Sequence, residues 1–347
     1  MKIVVSLIVF SIIILFHELG HFLLAKKNGI KVNEFSLGLG PTIWGVQKGE
    51  TKYSLKLLPF GGACMMEGED EESTASNAFG SKSVWARISV VAAGPIFNFI
   101  MAFVFSFVII CTTGYDLPVL TDVTPGYAAA EAGLRAGDTI VKLNNKKIHF
   151  YRDISAYGMY HVGEPVEVVY ERDGEEYTTT LVPKYDEELG RYLYGFIGTS
   201  YRQKETNNVF VLAKYSVHEV GYWIDSTIQS LRLLITGGVS VNDMSGPVGI
   251  VNAIGDSYEE TVSLGIGYVI LQMMYICVFL SANLGVMNLL PIPALDGGRL
   301  VFLIIEAIRG KKVDQEKEGF VHFIGLVLLL LLMVVIMFND IRRLFIG

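Results

Sequence analysis

The sequence predicts a multi-pass α-helical membrane protein with about four transmembrane helices, a membrane-associated β-hairpin or sheet, and an inserted soluble module. Three observations predict it. The 347-residue chain is 51% hydrophobic with a mean hydropathy of +0.44, too apolar for an ordinary soluble domain. Aliphatic runs at Ile3–Ala25, Val84–Cys111, around Leu264–Leu290 and at Val321–Phe338 each reach the roughly 20 residues that cross a bilayer. Between the second and third runs, residues from about 115 to 185 change to strand-like alternation with Gly-Asp turns.

The chain divides into four parts on this reading. Residues 1–112 form an N-terminal membrane domain, 113–186 the β-rich module, 187–262 a helical connector and 263–347 a C-terminal membrane domain. The first apolar run is too long for a cleavable signal peptide and lacks a small-residue cleavage site. After it, "NEFSLGLGPTIWGVQKGETKYSLKLLPFGG" alternates short apolar runs with Gly, Pro and Lys-Gly-Glu turns, which reads as a β-hairpin or small sheet. Within it, "KYSLKLL" is expected to offer a sheet edge to an extended partner at Ser54 and Leu55. Glu67–Glu72 then reads as an exposed acidic loop.

The second span opens with "AAGPIFNFIMAF", where Gly94 and Pro95 suit close helix packing and Asn98 needs a polar partner inside the bundle. Thr124–Asn145 resembles the turn-and-strand pattern of PDZ domains, which bind peptide ends by strand addition. From Thr206 to Thr236 the apolar spacing predicts an amphipathic helix lying on the outer membrane surface. Its "HEVGY" at His218 has Tyr222 where a second histidine would be needed, and reads as a solvated face.

Lys26, Lys27 and Lys31, then Lys82 and Arg87, then Arg309, Lys311, Lys312 and Lys317 all fall on one side of a four-span chain. The excess of basic residues makes that side cytoplasmic and puts the 113–262 segment outside. Arg342 and Arg343 dissent from this assignment. A net charge of −7 with no basic aromatic stripe argues against nucleic acid as a partner. Cys64, Cys111 and Cys277 lack any CxxC spacing and read as small hydrophobes.

The informative stretch is "ILFHELGHFLLAKK", starting at Ile14 in the first span. One charged group near the bilayer centre costs about 2.5–3.5 kcal/mol on insertion scales, so ionisable residues there mark function. His17 and His21 lie one helical turn apart on one face, with Glu18 beside them. This H-E-x-x-H spacing supplies two metal ligands and a general base. A catalytic zinc takes three protein ligands and keeps one open position. Glu306 and His322 are candidates for the third, but Asp296 is favoured. Pro291, Pro293, Gly297 and Gly298 break the helix on both sides of it, and unwound backbone at membrane depth must be buried in protein or line a wet cavity. Asn283 and Asn288 approach the same region and could orient a substrate or stabilise an oxyanion.

HExxH in the first span, "GPxxN" at Gly94–Asn98, the PDZ-like module, "SGPVGI" at Ser245–Ile250 and "NxxPxPxLDGG" at Asn288–Gly298 together resemble the site-2 protease family. The likeness is nearest to the bacterial regulated intramembrane metalloproteases. That resemblance implies one Zn2+ ion held by His17, His21 and Asp296, with Glu18 as catalytic base. It implies an intramembrane zinc endopeptidase in the bacterial cytoplasmic membrane, with one extracytoplasmic PDZ domain that can take peptide ends. The implied partners are the lipid bilayer and single-span membrane proteins, such as anti-sigma factors or remnant signal peptides. The β segment would dip into the membrane and align an unwound substrate strand. Two rivals are a receptor with a structural metal and a metal transporter. Glu18 argues against the first, and a single compact site without internal repeats against the second.

Overall fold

The computed structural model describes residues 1–69, 73–198, 206–238 and 245–346. The chain runs α1 (Lys2–Lys27), β1 (Val32–Lys48), β2 (Thr51–Met66), α2 (Val84–Thr113), β3 (Leu120–Val123), α3 (Ala128–Glu131) and β4 (Thr139–Leu143). It continues through β5 (Lys146–Lys147), α4 (Tyr151–Tyr160), β6 (Val166–Arg172), β7 (Glu175–Leu181), β8 (Lys184–Asp186), β9 (Arg191–Leu193) and β10 (Phe196–Gly198). Five helices follow: α5 (Val209–Thr236), α6 (Pro247–Val262), α7 (Ile266–Leu289), α8 (Asp296–Arg309) and α9 (Gln315–Ile346). Two compact units result, Met1–Phe105 with Ser230–Gly347, and Ser106–Gln229.

In the first unit, α1, α2, α7 and α9 are long and apolar enough to cross a membrane. A helix that is apolar all round needs protein or lipid on every side. Along α9 the side chains of Leu328, Leu331 and Phe338 stay exposed, an apolar band of the kind lipid covers. Val9, Ile13, Met101, Ile254 and Cys277 form one buried cluster that joins α1, α2, α6 and α7. The "SGPVGI" stretch opens α6, with Pro247 in its first turn. The buried Asp340 of α9 accepts from the amides of Gly246 at 3.0 Å and Gly249 at 2.8 Å, which satisfies donors that a helix start leaves unpaired.

The β1–β2 ribbon folds back on itself. Leu37 pairs with both Gly62 and Leu55, while Leu55 and Ser54 also face Trp44 and Gly45. Ser54 and Leu55 are therefore interior to the sheet and offer no free edge, contrary to the sequence expectation. The Ser54 hydroxyl is buried and hydrogen-bonded to Glu34. Two segments have one strand partner: Trp44–Lys48, which pairs with Leu55–Thr51, and Gly62–Met66, which pairs with Leu37–Val32; the second belongs to the strand that contacts α1.

The acidic loop is also more tied down than expected. Glu67 bonds Lys31, Asn33 and Ser73, and Glu69 pairs with Arg299 of α8; Asp70–Glu72 lie outside the described residues. Arg87, counted above among the basic side, is instead buried against Glu306 through two hydrogen bonds. That pairing occupies Glu306 and removes it as a metal ligand.

In the second unit, β4, β5, β6 and β7 form an antiparallel sheet ordered β5-β4-β6-β7, and β3 pairs with β10. Ile140, Leu143, Val168 and Leu181 from the four-stranded sheet pack with Ala129, Leu134 and Ile154 in one core. Asp138, in the "AGD" turn, is buried and paired twice at 2.7 Å with Arg172. The strands run on to Gly198, past the expected boundary at Asp186.

The first turns of α5 pack into this unit. Leu212 joins Ile110, Tyr115 and Phe150 in a second cluster. His218 is half-buried, stacked 3.6 Å from His149, and Glu219 is 2% exposed and paired with Arg152. The "HEVGY" stretch is thus a packed face, where a buried carboxylate needs its cationic partner. Phe210, Val217 and Ile228 are among the apolar side chains that α5 leaves exposed.

Candidate metal centre

Two elements of the first unit bring three side chains to one point. α1 supplies His17 and His21 at a one-turn spacing, and α8 begins at Asp296. The His17 and His21 Nε2 atoms are 3.2 Å apart. Asp296 Oδ2 lies 3.3 Å from the first and 3.5 Å from the second. These are contacts between three atoms that all carry lone pairs, and Asp296 Oδ2 is buried without a hydrogen bond of ordinary geometry. A tetrahedral zinc with bonds of about 2.0–2.1 Å holds its ligand atoms about 3.3 Å apart. The triangle fits that ion, and among the described residues it is the one such group of three.

The far side of each ring supports the same orientation. His21 Nδ1 lies 2.9 Å from the Val90 carbonyl, which can only accept. The ring proton therefore sits on Nδ1, and the Nε2 lone pair is free for a metal. His17 Nδ1 faces the Asn98 amide at 3.1 Å, while Asn98 Oδ1 is buried and orphaned. A primary amide can turn either its nitrogen or its oxygen to the ring. With Oδ1 turned to His17 the orphan gains its partner and His17 takes the same tautomer as His21. The partner that Asn98 needed inside the bundle is thus a histidine of the site.

Asp296 is placed by a turn that the prolines and glycines make possible. α7 ends at Leu290 in extended backbone, and α8 starts with Asp296 after Leu295. A Cβ on Gly297 would come within 2.1 Å of the Leu290 carbonyl oxygen, and one on Gly298 within 2.4 Å of that of Ile292. The turn can fold back onto the start of α8 only because both side chains are absent. Pro293 lies in this turn; Pro291 is exposed at its start. Asn283 and Asn288 sit half-buried near the end of α7. His322 is held otherwise, its Nδ1 accepting from the Ala294 amide at 2.9 Å.

Glu18 stands next to the triangle and outside it. The Cys64 backbone amide donates to its carboxylate, and Gly62 packs on its Cγ. The Gly62–Met66 strand therefore touches the residue with the chemistry of a base. Gly94, read from sequence as a packing residue, has a second role: its α-carbon lies against both imidazoles. The motif "GPxxN" carried the signal for both residues, since Gly94 and Asn98 fall one turn apart on α2.

The fold and the site define a membrane-embedded zinc metallopeptidase. The profile of peptidase family M50 matches residues 5–332, and the chain belongs to that family. A Clostridium acetobutylicum protein named as a zinc metalloprotease is 40% identical over 98% of this chain and 97% of its own length. The regulator of sigma-W protease RasP of Bacillus subtilis is 33% identical over 99% of each chain. The solved PDZ domain of an SdrC-like protein from Listeria monocytogenes covers 25% of this chain and 93% of its own at 21% identity, with a TM-score of 0.22. That likeness is too distant to carry a conclusion.

Proposed function

We propose that His17, His21 and Asp296 hold the zinc ion and that Glu18 is the catalytic base for cleaving transmembrane segments of single-span membrane proteins. The observation that carries this is the triangle of Nε2, Nε2 and Oδ2 atoms with edges of 3.2, 3.3 and 3.5 Å. When bound there, zinc would supply a Lewis acid for the scissile carbonyl and would bring the pKa of a bound water down to about 7. Glu18, held by the Cys64 amide, takes the proton from the attacking water and returns it to the leaving amine. Val90 and Asn98 keep the two imidazoles aimed.

A substrate helix has its carbonyls hydrogen-bonded and must unwind before attack. The Gly62–Met66 strand beside Glu18 is the better candidate for receiving the unwound segment, in place of Ser54 and Leu55. Asn283 and Asn288, ahead of the Pro291–Pro293 turn, would orient it. Anti-sigma factors and remnant signal peptides are the substrate types we favour. For the first, support comes from the name of the Bacillus subtilis relative. The basic residues flanking the spans favour a cytoplasmic-membrane protein with the 106–229 unit outside the cytoplasm. There the unit would exclude bulky ectodomains or take freshly cut peptide ends.

The test is direct. Purified protein is incubated with candidate single-span substrates, with and without chelator, and new termini are mapped by mass spectrometry. Cuts inside the apolar segment that vanish with chelator and return with zinc support the reading. Cuts confined to soluble tails would refute it.

A further inference from the structure

We propose that His322 is a positioning residue for Asp296. Through Nδ1 it holds the Ala294 amide at 2.9 Å and so fixes the left-handed turn that brings the carboxylate to the two histidines. The inference rests on Asp296 being a zinc ligand.

Three non-glycine residues among those described have positive φ: Asn144, Asp173 and Ala294. Asn and Asp tolerate that region because their short polar side chains bond locally, whereas alanine has no such compensation. Ala294, at φ 76°, lies two residues before Asp296. Strained backbone persists only where its surroundings over-determine it, and it clusters at functional sites. Pro291 and Pro293 bring no amide hydrogens to the turn. Its amide bonds are then Ile292 to the Leu290 carbonyl, Leu295 to that of Ile292, and Ala294 to His322. Only the last ties the turn to another element.

α9 meets the turn twice. Gly325, one turn beyond His322, abuts Pro293 so closely that a Cβ there would lie 2.4 Å from the proline Cβ. The His322 ring also lies against Phe302 of α8, centroids 5.7 Å apart. From Val321 to Phe338 this histidine is the only side chain with an ionisable group, in a span that gains nothing from polarity for its own sake. Accepting through Nδ1 puts the ring proton on Nε2, which faces Glu318 at 4.0 Å. A helix that reaches the membrane face of the protein thereby sets the third ligand.

The full-length protein in detergent tests this with His322→Ala, His322→Asn, Ala294→Gly, the His322→Ala/Ala294→Gly double variant, and Asp296→Ala. Zinc affinity is measured by chelator competition, and geometry by the visible absorption of the cobalt-substituted protein. His322→Ala is expected to weaken zinc by about 10- to 100-fold, as loss of a supporting partner does, and to change the cobalt bands. His322→Asn, whose Oδ1 replaces Nδ1 as acceptor, recovers most of both. Ala294→Gly removes the φ penalty, so the His322→Ala loss shrinks in that background.

Unchanged affinity and cobalt bands in His322→Ala overturn the proposal. If that variant does not fold, a folded His322→Asn with altered cobalt bands overturns it equally. Asp296→Ala separates the two levels. Full zinc affinity there defeats the ligand assignment itself, whereas lost zinc there beside an unaffected His322→Ala defeats only the positioning role.

Discussion

Gly94 and His21 touch: a Cβ on Gly94 would lie 2.3 Å from His21 Nε2, and 2.7 Å from His17 Cε1. The helix that closes over the metal site can approach only because this position has no side chain. Gly94→Ala should gain up to about 1 kcal/mol of helix propensity in α2, yet push both imidazoles off the shared point. Zinc affinity and cleavage are expected to fall together while helix content by circular dichroism holds. Gly267→Ala, in α7 with open space around it, is the control and should keep its zinc.

Asn98 is fully buried and partners His17. Asn98→Ala should lower zinc affinity by about 10- to 100-fold, because the His17 ring loses the group that fixes its tautomer. Asn98→Asp keeps an acceptor for the Nδ1 proton and should lose less. Chelator competition on the three proteins checks the order.

Asp340 caps α6 from α9 with its two amide bonds. Asp340→Ala would leave both donors in a buried site, at a cost of about 2 kcal/mol or more. Thermal unfolding in detergent should shift down while zinc binding stays intact, since no ligand is touched.

The convergence of His17, His21 and Asp296, with Glu18 beside them, was legible in the sequence for different reasons. Helical periodicity projects His17, Glu18 and His21 onto one turn, and the Pro and Gly residues around Asp296 announce a break that only a buried function explains. What each of them contacts was not legible. Asn98 showed a need for a partner, but nothing local says that the partner is His17. Ser54 and Leu55 were misplaced because a bulged ribbon can fold back on itself, and alternation reports which residues are strands without reporting their neighbours. The His218 stretch was misread because α5 was judged as a lone helix. The surface that covers it comes from His149 and Arg152, far earlier in the chain.

His149 and His218 carry a pH dependence in the 106–229 unit. Burial first, then His149 and Lys214, push the His218 imidazole down to about 4. Burial chiefly lowers His149 too, aided by Lys214 and Lys147 and opposed by Asp153. An unfolded histidine titrates near 6.5, so on acidification the unfolded chain takes up protons before the folded one does. Stability of this unit should be complete above about pH 6.5, decline toward pH 4, and level off below it. Hydrogen exchange of α4 and α5 amides at pH 7 and pH 5 reads this out. His218→Phe, which keeps the stacked ring, should flatten the dependence.

The central claim is that one zinc sits on His17, His21 and Asp296 while Glu18 moves the proton. Glu18→Gln keeps the size and polarity of the side chain but cannot accept that proton. The deciding measurement is zinc content and cleavage of a single-span substrate by the purified Glu18→Gln protein beside the unmodified one. The account predicts one zinc per chain in both and no cleavage by the variant; sustained turnover by the zinc-loaded variant would contradict it.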